Sequence, residues 1–244
     1  MQNYSAVKKS IIMLAAAASL FMFSACRKIT GEGPVVSEIR GITGFSGVST
    51  GIAGRVNYTI APEYKVELIA QRNILDVLET SVIGGHLLIK VKNGINIRND
   101  EDIVANISAP AAGYLHVSGP GTLKVNGAIV SNSLDLGISG SGDIFTGNIN
   151  ITGKIDANIS GSGNIYVKNG IAGEETLRIS GSGKIKMDSV DAKKASITIS
   201  GSGSMYLNIS QILEATISGS GSVFYQGNAQ VNTHISGSGK VIRL

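Results

Sequence analysis

The sequence predicts an all-β fold, a right-handed parallel β-helix or β-solenoid with rungs of about 20 residues and a less regular N-terminal β portion. The first observation is a repeated tetrapeptide, Ser-Gly-Ser-Gly, which occurs six times and always follows an Ile. The second is its spacing: together with one related SGPG, the motifs begin 21, 21, 20, 20, 18 and 18 residues apart. The third is the alternation of apolar and polar residues around each motif, which is typical of strands with one buried face.

Residues 1–25 have the composition of a secretory signal peptide. They contain no acidic residue, carry Lys8 and Lys9 near the start, and continue into an apolar core from Ile11 to Phe23, which is too short to span a bilayer as a helix. Cys26 is the only cysteine, and the sequence FSAC that it closes resembles a bacterial lipobox. We therefore predict cleavage before Cys26 and its lipidation. The alternative is a cleaved, soluble protein with a free thiol.

Residues 26–38 are predicted to form a lipidated tether, because Gly31, Gly33 and Pro34 disfavour a regular element there. The remaining residues, 39–244, have the length of one domain. Without residues 1–25 the chain carries 19 basic and 17 acidic side chains, and it has no basic run interleaved with aromatic residues. This composition argues against a nucleic-acid partner.

Residues 39–112 form the less regular part of the predicted domain. Four strand-like segments occur there, FSGVST, KVELIA, HLLIKV and IVANIS, roughly 20 residues apart. They are either degenerate rungs or a sheet that caps the solenoid, since an uncovered end invites edge-to-edge association. Near the other end, Arg243 occupies a column that is apolar in most rungs, which suggests that the stack ends there.

Residues 113–244 repeat a unit of strand, Ser-Gly-Ser-Gly corner, strand and return loop. Glycine suits the corner because it tolerates positive φ and close backbone contacts, and serine hydrogen-bonds locally in turns. The predicted core comprises the residue before each motif and the residue two places after it. These are Val117, Ile138, Ile159, Ile179, Ile199, Ile217 and Ile235, and Leu123, Ile144, Ile165, Ile185, Met205, Val223 and Val241. A phosphate-binding glycine loop is disfavoured because no helix follows the motif.

One outward column of the predicted solenoid is rich in aromatic residues. Three residues after the second glycine of successive corners stand Lys124, Phe145, Tyr166, Lys186, Tyr206, Phe224 and Ile242. Because side chains alternate in direction along a strand, this column points away from the core. Phe145, Tyr166, Lys186, Tyr206 and Phe224 are therefore the candidate binding stripe. Either another part of the chain or a second copy covers the stripe, or the stripe binds a glycan or a protein.

The other chemically reactive groups are not predicted to cluster. His116 and His234 share a column but lie in the first and last repeats, so we expect solvated side chains. Asp135 and Asp156 occupy one column of adjacent rungs, where they offer too few oxygen ligands for Ca²⁺. No column combines several acids with Arg or His, as polysaccharide lyases and hydrolases built on a β-helix require. We therefore predict no metal, no cofactor and no catalytic residue.

Two segments of the N-terminal portion and the GSG motifs that follow them carry a family resemblance. RGITGFSGVSTG, then NILDVLETSVIGGHLLIKV, then the series of GSG motifs together resemble the auto-transporter adhesin head GIN domain family, from about Arg40 to the C-terminus. That family is common in lipoproteins of Bacteroidetes. The resemblance implies a β-helical fold and a location in the cell envelope, and it implies no established activity.

These observations lead to two hypotheses on function. The first is a non-enzymatic, lipid-anchored binding or adhesion module that presents a solenoid surface to a glycan or a protein. It would be an outer-membrane lipoprotein of a bacterial envelope, facing the periplasm or the cell surface. The alternative is a carbohydrate-active enzyme, a polysaccharide lyase or hydrolase on a β-helix.

Overall fold

The structure is a computed structural model that describes residues 27–98 and 103–244. The predicted signal peptide and the lipidation site Cys26 lie outside these residues. Within them, strands account for most of the residues, and α1 (Arg72–Leu75) forms a single helical turn. No helix in residues 27–98 or 103–244 has the length and apolar character needed to cross a bilayer.

The strands of the first half are short. They are β1 (Arg27–Thr30), β2 (Val35–Ile39), β3 (Gly47–Thr50), β4 (Gly54–Ile60), β5 (Lys65–Gln71), β6 (Leu78–Ile83), β7 (His86–Val91), β8 (Ile95–Arg98) and β9 (Ile103–Ala109). Five strands of the second half are longer, with 12 to 19 residues, because they continue around a bend of the solenoid. The strands of the second half are β10 (Tyr114–Ser118), β11 (Thr122–Asn126), β12 (Ile129–Gly140), β13 (Asp143–Gly161), β14 (Asn164–Gly181), β15 (Lys184–Gly201), β16 (Ser204–Gly219), β17 (Ser222–Gln226), β18 (Gln230–Gly237) and β19 (Lys240–Arg243).

The repeats stack as a parallel β-solenoid, which confirms the predicted fold class. Each strand pairs with its equivalent in the next repeat, so that the isoleucine before one corner lies beside the isoleucine before the next, as Ile159 does beside Ile179. Side chains of both predicted core columns are buried in every layer except the last, where Ile235 and Val241 are partly exposed. The core is therefore one continuous apolar rod that no single rung could bury alone.

The first glycine of each corner is required by its backbone conformation, and in every corner after the first it is also required by contact with the preceding layer. These glycines have φ between 108° and 132°, a region that side chains rarely adopt. In addition, the carbonyl oxygen of Gly140 accepts a hydrogen bond of 2.9 Å from the Ser162 N–H of the next layer. A Cβ on Gly161 would overlap that same carbonyl oxygen. The corner thus continues the backbone ladder between layers.

The second glycine of each corner explains why isoleucine precedes the motif. A Cβ on Gly183 would lie 2.6 Å from the Gly163 carbonyl oxygen and 2.7 Å from Cγ2 of Ile159, the residue before the preceding corner. The same relation holds between Gly203 and Ile179. The isoleucine of one layer therefore fills the space that the glycine of the next layer leaves open.

The N-terminal segment contains both true rungs and a cap, so both of the expected arrangements occur. β3 and β4 form one parallel layer that pairs with β10 and β11 on one side and with β7 and β9 on the other. The layers are consequently stacked out of sequence order. Antiparallel strands then cover the end: β5 pairs with β9, β6 with β7, and β2 with β5.

Residues 27–38 contain strands, and the stack ends at β19, the strand that carries Arg243. Residues 27–38, predicted as a tether, contain β1, which pairs with β8 in a separate two-stranded sheet, and most of β2, which joins the cap. At the opposite end, Arg243 lies exposed in β19, the last strand of the stack. Its Nη2 donates a hydrogen bond of 2.6 Å to Oδ1 of Asn228.

Glu175 is an ionisable residue in the apolar core. It pairs in register with Ile155 on one side and Ala195 on the other, and both neighbours point inward. The residue is 2% exposed, and neither of its carboxyl oxygens has a hydrogen-bond partner among the described residues. Burial raises the pKa of Glu175 to about 8, so the side chain is mostly protonated at neutral pH.

The corner glycines allow strain and contact to be measured separately. Gly119 has φ of 108° but nothing within 4 Å of an added Cβ, whereas Gly181 has φ of 123° and an added Cβ would overlap Gly161. We expect Gly119→Ala to cost about 1 kcal/mol, and Gly181→Ala about 3 kcal/mol, in urea denaturation. Gly41→Ala, in open space at ordinary φ, should be neutral. Equal losses at Gly119 and Gly181 would show that layer contact is unimportant.

The buried carboxyl predicts a loss of stability as pH rises. The pKa of Glu175 is about 8 in the folded chain against an ordinary 4.5, so the folded state holds more protons between these values. The free energy of unfolding should therefore fall from pH 5 to pH 9, by up to about 5 kcal/mol from this group. Glu175→Gln should remove that decline, and Glu174→Gln, at the exposed neighbour, should retain it. Parallel pH profiles for wild type and Glu175→Gln would contradict the assignment.

Candidate functional site

The candidate binding stripe forms one continuous outward column. Phe145 pairs in register with Tyr166, Tyr166 with Lys186, Lys186 with Tyr206, and Tyr206 with Phe224. The residues that flank this column in β13, β14, β15 and β16 point inward and are buried, so the predicted strand parity is confirmed. Phe145 is 37% exposed and the other three rings are half-buried.

The aromatic rings of the stripe contact each other in two pairs. The ring centroids of Phe145 and Tyr166 are 4.9 Å apart with an interplanar angle of 5°, and those of Tyr206 and Phe224 are 4.8 Å apart at 13°. Coplanar rings would collide at such distances, so each ring covers part of its neighbour's face. Ring edges therefore make up much of the surface that the stripe offers. Lys186 separates the two pairs.

A groove borders the first ring pair. It has a volume of about 530 Å³, and its lining includes Phe145, Tyr166, Lys168, Lys186, Asp188 and Ser189. Lys186 Nζ lies 3.6 Å from Oδ2 of Asp188. The groove thus combines ring edges with two ammonium groups, a carboxylate and a hydroxyl. Such a surface can contact apolar groups and hydrogen-bond to polar groups of one ligand.

The same column continues beyond the stripe as a polar ladder. Asn57 pairs in register with Lys124 and with Asn106, and Asn106 with Glu67. Asn57 Nδ2 donates to Asn106 Oδ1 at 3.0 Å, and Asn106 Nδ2 donates to Glu67 Oε2 at 3.0 Å. The hydrogen bond from Asn106, with others from Ser37 and Lys65, holds the pKa of Glu67 below its usual value. The ladder was not predicted from the sequence spacing, because the strands that carry it are not stacked in the order of the sequence.

A second ring cluster, on the face before the corner, was also missed. The rings of His86 and Tyr114 stack with centroids 4.0 Å apart, and those of Tyr114 and His116 with centroids 3.8 Å apart. His116 Nε2 lies 2.8 Å from Oδ1 of Asp135. A Cβ on Gly137 would overlap the His116 ring, so this strand glycine was the sequence signal for a side chain lying across it. His116 is therefore stacked and paired, and not simply solvated as predicted.

The acids proposed to share a column have separate partners. Asp135 contacts His116, whereas Asp156 contacts Lys154 Nζ at 2.9 Å and Arg178 Nη1 at 3.3 Å. The two contacts of Asp156 are surface ion pairs of small energetic value. In the described part of the chain, no group of three or more His, Cys, Asp or Glu side chains has an arrangement that could hold a metal ion.

The strands and the outward stripe define a parallel β-solenoid with one aromatic column on its surface. A family described as "Putative auto-transporter adhesin, head GIN domain" matches residues 44–229, and the chain belongs to this family. The predicted resemblance is thereby confirmed. No curated protein sequence matches the chain.

Several solved structures share the fold. A putative adhesin from Bacteroides fragilis has a TM-score of 0.81 at 18% identity, covering 88% of this chain and 100% of its own. A putative adhesin from Parabacteroides distasonis has 0.73 at 20% identity, with coverages of 89% and 100%. A putative lipid binding protein from the same species has 0.70 at 24% identity, with coverages of 89% and 100%. At these identities the likeness shows the fold alone.

Proposed function

We propose that the protein is a non-enzymatic, lipid-anchored binding or adhesion module of the bacterial cell envelope. Its contact surface is the stripe of Phe145, Tyr166, Lys186, Tyr206 and Phe224, which faces a glycan or a protein. The observation that carries the proposal is the partial exposure of the stripe: Phe145 is 37% exposed, and the other three rings are half-buried in an outward column. Family membership and the adhesin descriptions of the structural neighbours support the adhesive role.

The chemistry of the stripe favours binding over hydrolysis. Glycoside hydrolases typically place two carboxyl groups on either side of the scissile bond. The groove beside the stripe has one carboxylate, Asp188, and that carboxylate lies close to Lys186. Glu175, whose carboxyl group has the raised pKa, is 2% exposed and lies between inward-facing residues of the neighbouring layers. A polysaccharide lyase or hydrolase is therefore the less favoured function.

The position of Cys26 supports anchoring at the capped end of the stack. Only the peptide bond to Arg27 separates Cys26 from β1, and β1 pairs with β8 beside the cap. A lipid on Cys26 would hold the solenoid with its cap toward the outer membrane and its last layer away from it. The stripe would then run outward from the membrane, on the periplasmic or the external side.

The stripe can be tested with matched double variants. We expect Tyr166→Ser plus Tyr206→Ser to weaken binding to a panel of immobilised polysaccharides and envelope proteins at least about tenfold, since interface aromatics often contribute more than 1 kcal/mol. The cost in stability should be about 1 kcal/mol per lost ring stack, because the rings are partly exposed. The control is Val130→Ser plus Ile171→Ser, which removes side chains that are 71% and 51% exposed on another face.

The outcome that overturns the stripe is equally specific. Equal weakening by both double variants would show that the contact is not at the stripe. Binding of the wild type to no member of the panel would remove the binding function itself. A loss of several kcal/mol in the stripe variant would show that the rings belong to a covered core.

Lipid anchoring can be tested directly at Cys26. We expect the N-terminal peptide of the mature protein to carry acyl chains by mass spectrometry, and the protein to partition into the detergent phase. Cys26→Ser, checked by mass for removal of residues 1–25, should move to the aqueous phase with an unchanged fold, because Cys26 precedes β1. A wild-type peptide without acyl mass would refute the anchor.

A further inference from the structure

The two ends of the solenoid differ in how they are covered. At the N-terminal end, the antiparallel strands β5 and β6 pair with the outermost parallel layer, β9 and β7. At the other end, β18 pairs with β16 and β19 pairs with β17. Within residues 27–98 and 103–244, β18 pairs only with β16 and β19 only with β17, so the outer edges of both strands have no partner. Half of the backbone N–H and C=O groups of β18 therefore point away from the stack.

The apolar core reaches solvent at this open end. Ile235 occupies the isoleucine column and is 40% exposed, whereas Ile217 in the layer beneath it is 1% exposed. Val241 is partly exposed, whereas its neighbour Val223 is fully buried. A core that stops in this way leaves an apolar surface bordered by unpaired backbone, which is a suitable surface for another strand.

The sequence of β18 does not protect its edge. Edge strands usually carry charges, prolines or bulges that prevent pairing with another chain. β18 reads QVNTHISG and contains no Lys, Arg, Asp, Glu or Pro. β19, by contrast, carries Lys240 and Arg243, and these would repel the same residues of a second copy. A strand of another chain can therefore pair with β18, whereas the charges of β19 disfavour such pairing.

We propose that a second copy of the chain pairs with β18, antiparallel and about a two-fold axis at Thr233. In this register Val231 lies opposite Ile235 of the other copy, and Asn232 lies opposite His234. Val231, Thr233 and Ile235 are the inward-facing positions of β18, in register with Leu213, Ala215 and Ile217. Each apolar side chain therefore meets an apolar one, and the two cores become continuous.

The symmetry of this pairing favours a second copy over an unrelated strand. A two-fold interface uses the same patch on both chains, and the β18 sequence is complementary to its own reverse in the register above. The chain already uses antiparallel strands to cover a parallel layer, since β5 covers β9 in this way. The surface lies at the end of the stack and is separate from the aromatic stripe, so the inference does not depend on the proposed function.

The oligomeric state provides the test. The sample is the processed chain, residues 26–244, with Cys26→Ser so that neither lipid nor thiol is present. Sedimentation equilibrium should give twice the mass of one chain, and Ile235→Asp should give a single chain with an unchanged circular dichroism spectrum. The matched control is Ile171→Asp, at an isoleucine that is 51% exposed on a middle layer, and it should remain a dimer.

A second variant tests the register even if Ile235→Asp disturbs the last layer. With Cys26→Ser the chain has no other cysteine, so Thr233→Cys introduces a single thiol at the proposed axis. Mild oxidation should link two Thr233→Cys chains, whereas Ser238→Cys, at the last corner, should remain unlinked. A single-chain mass at about 100 µM, where even a micromolar interface is populated, would overturn the proposal. So would a dimer that survives Ile235→Asp, or one that is lost with Tyr166→Ser plus Tyr206→Ser instead.

Discussion

The solenoid depends on the contact between glycine backbones of successive corners. The carbonyl oxygen of Gly140 accepts a hydrogen bond from the N–H of Ser162, and a Cβ on the adjacent Gly161 would overlap that oxygen. Where Ile159 enters the space above Gly183, a side chain on that glycine would displace it. Together these contacts hold each layer directly over the last, so that every position in the repeat becomes a straight column. Both the core and the aromatic stripe follow from that alignment.

The sequence is informative wherever structure is set within one repeat, and less so where it depends on which layers are neighbours. The direction of Tyr166 and the burial of Ile165 follow from alternation alone and were predicted. The insertion of β3 and β4 between β7–β9 and β10–β11 was not, because apolar alternation identifies a strand and not its partner. The stack of His86 on Tyr114 depends on that insertion. Glu175 was missed for a different reason: a carboxyl group at an inward position contradicts the pattern that identifies the core.

The architecture separates stability from recognition. Inward columns carry the packing, and outward columns can vary as long as they tolerate a neighbour at about 4.8 Å above and below. The pairing of Phe145 with Tyr166 and the ladder from Asn57 to Glu67 show two ways of using the same column, one aromatic and one amide. Structural relatives at 18% to 24% identity are consistent with this separation, since the fold persists while most residues differ.

A stack of equivalent layers has no intrinsic length, and in principle it could grow at either end like a polymer. The antiparallel strands of the cap act as a chain terminator, because their direction is reversed and the next layer of the repeat cannot be added in register to them. Growth by addition of a parallel layer is left with one end only. If that end pairs with the same end of a second copy, neither copy can add a further layer. The strands that depart from the repeat thus prevent a molecule built from repeats from forming a filament.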